Sequence, residues 1–244
     1  METVSSLFLF AATASAYVYD LHRQRRITQD STDGEIDDRD LRILAAVNGL
    51  HGDSLHEAQK VFLMTSQYPS LQEALSRAPI LGLYFAAGWC DDCWEATPLL
   101  EKVLLRQQKM ENFGDNDKLL EVVYVSSDKS AAEMAKFKPK SFLEIPYTAQ
   151  DEIVRLKRFF STCAKKEMDQ VGITEDQRKH GTPTLILIES ASGRILSEDG
   201  VDHFMNPKIK NKPLQVLEAW KQLLWGLDSS ESWESLSNYQ TAFN

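Results

Sequence analysis

Hydrophobic and polar positions along this chain change period near residue 70. Beyond it, continuous apolar runs of strand length alternate with stretches in which apolar residues recur every three or four positions. PILGLYFAA (79–87) is apolar throughout, which predicts a central strand buried on both faces. KLLEVVYVSSD (118–128) and TPTLILIES (182–190) predict two more such strands, ASG (191–193) a tight turn, and RILSEDG (194–200) the hairpin partner. Helical spacing predicts helices over 70–78, 90–110, 129–137 and 213–227, with Gly226 near the end of the last. Ser70 is the expected cap of the first, with Glu73 three residues on as in a capping box. Strands separated by helices, then a hairpin and a closing helix, predict an α/β three-layer sandwich with a mixed central sheet.

Residues 148–179 exceed that plan. AQDEIVRLKRFFSTCAKKEMDQ (149–170) predicts a crossover helix lengthened by an insertion, with Ile153, Leu156, Phe160 and Cys163 on one stripe. Cys163 reads as a small apolar core residue, with a third redox thiol as the alternative. Upstream, 39–50 and 54–66 predict two short helices. VSSLFLFAATASAYVY (4–19) is apolar and is followed by HRQRR (22–26). It is slightly short for a membrane span, and ASA (14–16) looks like a signal-peptidase site, yet METVSS lacks basic residues. Three readings stand: a membrane anchor with a cytosol-facing body, entry into the secretory pathway, or a buried helix of a soluble cytoplasmic protein.

The acidic stretch 28–44 echoes a calcium loop at Gly34 and Asp40. Gln29 and Ser31 stand where charged ligands are needed, so it reads as a linker. The plan along the chain is therefore an apolar segment with its basic flank (1–27), an acidic linker with short helices (28–69), the sandwich (70–227, insertion about 148–179) and a polar tail (228–244).

Composition narrows the function. A net charge of -9 argues against nucleic-acid binding, which needs a basic footprint. Lys and Arg gather in 136–180, read as a solvated helix face, with a docking surface for acidic partners as the alternative. Three cysteines make no disulfide framework, and neither a second CxxC nor a paired His motif accompanies them. No metal site is expected.

The chemistry concentrates in AAGWCDDCWEA (86–96). Cys90 and Cys93 fall just past a buried strand, at the first turn of a helix. Free N–H groups and the helix dipole there stabilise a thiolate at Cys90. A thiolate attacks a disulfide, and a second cysteine one turn on resolves the mixed disulfide. Trp89 supplies a flat apolar surface beside the sulfur, and Pro98 removes one helix hydrogen bond.

YFAAGWCDDCWEATPLLEKV (84–103) resembles the active-site region of the thioredoxin fold, most closely its tryparedoxin and nucleoredoxin branch. LEVVYVSSD, FLEIPY and HGTPTLILIESASGRIL are similar to further segments of that branch, in the same order. The resemblance covers roughly 70–205 and implies a thioredoxin-like sandwich with an N-terminal helical extension and a helical insertion. It implies that Pro183 is the cis-proline facing the cysteines and that Thr182 presents its backbone to a bound substrate strand. It also puts Tyr84 where ordinary thioredoxins carry a buried acid, as this branch does. Asp91 and Asp92 depart from the usual Pro-Pro or Gly-Pro, and Trp94 replaces a basic residue. Two anions added and a cation lost disfavour a thiolate, unless the aspartates are only solvated helix-start residues.

The expected function is reduction of protein disulfides by a dithiol, with Cys90 attacking and Cys93 resolving. Trp89, Thr182 and Pro183 form the substrate groove, and Asp91 and Asp92 tune the thiolate. No metal or organic cofactor is called for. The expected partners are disulfide-containing proteins and an upstream reductase or dithiol donor, with no nucleic acid and a possible membrane association through 4–19. The alternative is a catalytically weak thioredoxin-like binding module that presents helices 39–66 and the insertion.

Overall fold

A computed structural model describes residues 53–226, apart from 65, 67 and 109–117. The apolar segment at 4–19, the acidic linker, the helix expected at 39–50 and the tail at 228–244 lie outside the described residues. No helix among the described residues is long and apolar enough to cross a membrane.

Two helices, α1 (Asp53–Met64) and α2 (Pro69–Arg77), lead into strand β1 (Ile80–Ala86). Then come α3 (Asp91–Gln107), β2 (Leu120–Ser126), α4 (Ala131–Phe137), the short β3 (Leu143–Glu144) and α5 (Gln150–Phe159). A 3-10 turn (Lys165–Glu167) and α6 (Met168–Val171) follow, then β4 (Thr184–Glu189), β5 (Ile195–Ser197), α7 (Gly200–Met205) and α8 (Pro213–Leu224). The sheet order is β3-β2-β1-β4-β5. The pairs β1–β2 and β2–β3 are parallel, while β1–β4 and β4–β5 are antiparallel, so the sheet is mixed.

Both faces of β1 and β2 are buried because alternate side chains enter two different cores. Ile80, Tyr84, Val122, Tyr124, Leu185 and Leu187 pack with Leu100 and Val103 of α3 and Trp220 of α8. Leu81, Leu83, Phe85, Val123, Val125 and Ile186 pack with Phe62 of α1, Leu71 of α2 and Ile153 and Leu156 of α5. This is a three-layer sandwich around a five-stranded sheet.

Several expectations are corrected. Ser70 does not cap α2: Tyr68 holds that position without a side-chain hydrogen bond, and Pro69 opens the helix, where its fixed φ suits the first turn. Glu73 instead pairs with Arg77 one turn on. The crossover helix does not run through to 170. It ends at Phe159, Ser161 takes a left-handed φ of 50°, and Thr162 bridges His180. Cys163 therefore leaves the stripe of Ile153, Leu156 and Phe160 and sits, fully buried, in a small separate cluster with Val171 and Ile173. The hairpin partner is also shorter than expected, because Gly200–Met205 turns into α7. A Cβ at Gly200 would lie 2.7 Å from the carbonyl oxygen of Leu185, so only glycine lets α7 approach β4 this closely.

Candidate active site

The parallel β1–β2 pair ends at Ala86 and Ser126, and the loops that leave these two strand ends build the site. Cys90 is the N-cap of α3, with an extended backbone (φ -94°, ψ 118°). Its N–H donates to the carbonyl of Ala87 at 3.2 Å, and its own carbonyl accepts the N–H of Cys93 at 3.1 Å. Both cysteines are buried, Cys90 less completely, at 8% exposed against 0% for Cys93. All three cysteines are free thiols.

Thr182 and Pro183, read from the sequence as groove residues, stand beside Cys90. The Thr182–Pro183 peptide is cis. The Cys90 thiol donates to the Thr182 carbonyl at 3.4 Å, so the segment leading into β4 lies against the start of α3. Burial pushes the Cys93 thiol well above its ordinary range, and its hydrogen bond with Cys90 and the charges of Cys90 and Asp92 add to this. Asp91 and Asp92 are exposed on the first turn of α3, a favourable place for anions on a helix. Tyr84 is fully buried and its hydroxyl lies 2.9 Å from Thr97 Oγ1, so the position below the cysteines carries no charge. Trp94 is 55% exposed, donates its indole N–H to the Gly88 carbonyl at 2.7 Å and packs edge-on against Phe137.

Three residues of the site are not anticipated by the sequence. Asp128, at the end of VSSD, is buried. One of its oxygens accepts the Gly88 N–H at 2.7 Å; the other lies 2.8 Å from both the Tyr124 and the Ser126 hydroxyls. It braces the loop that carries Trp89 and Cys90. The VSSD segment holds the available signal, a carboxylate closing an apolar strand, where the chain leaves the sheet beside the cysteines. A Cβ at Gly88 would meet Phe137 at 3.0 Å and Asp128 at 3.3 Å, so this close approach also depends on glycine.

The other two, Lys166 and Glu167, belong to the insertion. The indole N–H of Trp89 donates to the Ser127 carbonyl at 2.6 Å, and the Lys166 ammonium stands 3.0 Å from the centroid of the Trp89 ring. Glu167 accepts the Ser127 hydroxyl at 2.8 Å, the buried Lys157 ammonium at 2.7 Å and the Ala164 N–H at 2.9 Å. A cation from a distant part of the chain thus stands beside Trp89. No local spacing announces that contact.

The basic stretch is mostly answered from within. Lys138 pairs with Glu144, Arg155 with Glu152, Lys157 with Glu167, Lys165 with Glu175, and Lys179 with Glu198. Among the described residues no group of three or more His, Cys, Asp or Glu side chains is placed to hold a metal ion.

Residues 79–195, just under half of the chain, match the family model described as thioredoxin-like. The fold is thioredoxin-like, and the chain is similar to a nucleoredoxin and to tryparedoxins. Probable nucleoredoxin 1 of Arabidopsis thaliana is 26% identical over 122 residues, which are 50% of this chain and 17% of that much longer protein. Among solved structures, tryparedoxin II of C. fasciculata is 22% identical with a TM-score of 0.40, covering 57% of this chain and 76% of its own. Tryparedoxin of Trypanosoma brucei is 23% identical with a TM-score of 0.38, covering 57% of this chain and 81% of its own.

Proposed function

We propose that this protein is a thiol–disulfide oxidoreductase that reduces disulfides in other proteins. One observation carries the reading: a cysteine at a helix N-cap that keeps a little exposure, its fully buried partner one turn on, and the Thr182 carbonyl 3.4 Å from the Cys90 sulfur beside a cis-proline.

In this reading a substrate strand lies along Thr182 and Pro183 with its disulfide against Cys90. The Cys90 thiolate attacks one substrate sulfur, forms a mixed disulfide and expels the other sulfur as a thiolate that takes up a proton. Formation of the mixed disulfide removes the Cys90 thiol from beside Cys93, and with it part of what holds the Cys93 proton in place. Cys93 then gives up its proton and attacks the Cys90 sulfur, forming the Cys90–Cys93 disulfide and expelling the second substrate sulfur as a thiolate, which takes up that proton. Two electrons pass from the dithiol to the substrate, and an upstream reductase or dithiol donor restores the pair. The cycle calls on no metal or organic cofactor.

Catalysis of insulin disulfide reduction by dithiothreitol, followed as turbidity, tests the proposal. Acceleration well above the uncatalysed rate, abolished by Cys90→Ser, is the expected result. A rate equal to the uncatalysed one would leave a thioredoxin-like binding module as the reading.

A further inference from the structure

A polar cavity of about 300 Å³ opens beside Trp89, between the loop after β2 and the insertion. Ser127 and Lys166 line it, and these two also hold the Trp89 ring, one through its carbonyl and one over its face. Trp89, which directly precedes Cys90, thus links the cavity wall to the cysteine. The cavity's volume is that of about ten liquid water molecules, enough for a polar side chain with its peptide group.

The charges that line this cavity are not equivalent. Asp128 is engaged by the Gly88 N–H and the Tyr124 and Ser126 hydroxyls, and Glu167 by Lys157, Ser127 and the Ala164 N–H. Both carboxylates are thus turned into the protein's own hydrogen bonds. Lys157 is 3% exposed and spent on Glu167. Lys129 and Lys166 also line the cavity, are exposed, and neither has a carboxylate partner among the described residues. The unmet charge facing the cavity is cationic, in a chain whose net charge is -9. The exposed Asp91 and Asp92 repel an anion from the first turn of α3, which leaves the Lys129 and Lys166 side to receive one.

We propose that this cavity is a specificity subsite for an acidic side chain, Asp or Glu, that flanks the disulfide of a peptide or protein substrate, with Lys129 and Lys166 as its recognition residues. The proposal rests on the oxidoreductase reading above and adds to it a class of substrate. The insertion then serves recognition, because it carries Lys166 to the active-site tryptophan, and an acidic group bound there seats the disulfide next to Cys90.

Three synthetic peptide disulfides that differ only in having Glu, Gln or Lys on both sides of the cysteine, with dithiothreitol as donor, test the subsite. The full chain is expected to reduce the Glu peptide roughly three- to tenfold faster than the Gln peptide in kcat/KM, and the Lys peptide slowest, with the ranking compressed at high salt. The Lys129→Gln, Lys166→Gln double variant brings the Glu to Gln ratio to about one. Lys140→Gln, which removes an exposed lysine outside the cavity, keeps the ratio. Equal turnover of all three peptides by the wild type, or a ratio that survives the double variant, overturns the subsite. Absence of any turnover contradicts the oxidoreductase reading instead. Binding of the same peptides with Ser for Cys, followed by tryptophan fluorescence, then decides the subsite: tighter binding of the Glu peptide, lost in the double variant, supports it, and equal binding overturns it.

Discussion

The carboxylate of Asp128 accepts the backbone N–H of Gly88 at 2.7 Å, tying the loop after β2 to the loop that ends in Trp89 and Cys90. Its other oxygen lies 2.8 Å from the Tyr124 and Ser126 hydroxyls, so one buried side chain serves three donors. Removing it leaves those donors buried without their partner. Asp128→Ala is expected to destabilise the fold by about 2–4 kcal/mol and to lower the melting temperature by several degrees. It should also slow insulin reduction, because the Trp89 loop loses its brace. Thermal unfolding followed by circular dichroism measures the first effect; an unchanged melting temperature would mean that Asp128 is dispensable.

Asp91 and Asp92 place two exposed anions on the turn that starts at Cys90. Each is worth about 0.5–1 kcal/mol against a neighbouring thiolate after solvent screening. A stable thiolate favours the reduced dithiol. Replacing both residues with Gly-Pro is therefore expected to make the disulfide more oxidising, by about five- to thirtyfold in its equilibrium constant with glutathione. An unchanged constant would show the aspartates to be only solvated residues of the helix start.

Stability should fall on both sides of neutrality, for separate reasons. Burial holds the thiol of Cys93 and the hydroxyls of Tyr84 and Tyr124 well above their ordinary ranges. Above about pH 9 the unfolded chain releases protons that the native state keeps, so stability declines steadily as pH rises through the unfolded values of 9.0 and 10.0. On the acid side, burial holds His203 below its ordinary 6.5, against the pull of Asp199 and Asp202. Below that value the unfolded chain takes up a proton that the native state refuses, and stability drops again. Urea unfolding at a series of pH values checks both limbs. His203→Gln keeps an acceptor for the Trp220 indole N–H, bound now at 3.0 Å, and is expected to flatten the slope between pH 7 and 5.

What is legible in the sequence, and what is not, divides by the range of the interactions involved. The strands 80–86, 120–126 and 184–189 are legible because a strand buried on both faces writes an unbroken apolar run. The cysteine pair at the start of α3 is legible because both residues sit within one turn. The insertion misleads because the stripe of Ile153, Leu156 and Phe160 continues to Cys163 at helical spacing, while Ser161 breaks the helix to let Thr162 bridge His180. Lys166 over Trp89 and Glu167 against Ser127 join distant segments, and nothing local encodes such contacts.

The central claim is that Cys90 attacks and Cys93 resolves, and it is tested most directly by trapping. Cys93→Ser and Cys90→Ser variants are each incubated with disulfide-containing protein and resolved on non-reducing gels. Covalent complexes that dissolve on reduction are expected with Cys93→Ser alone, since Cys90, the less buried of the two, can begin the exchange but a serine cannot complete it. Equal trapping by both variants, or trapping by neither, would contradict the account.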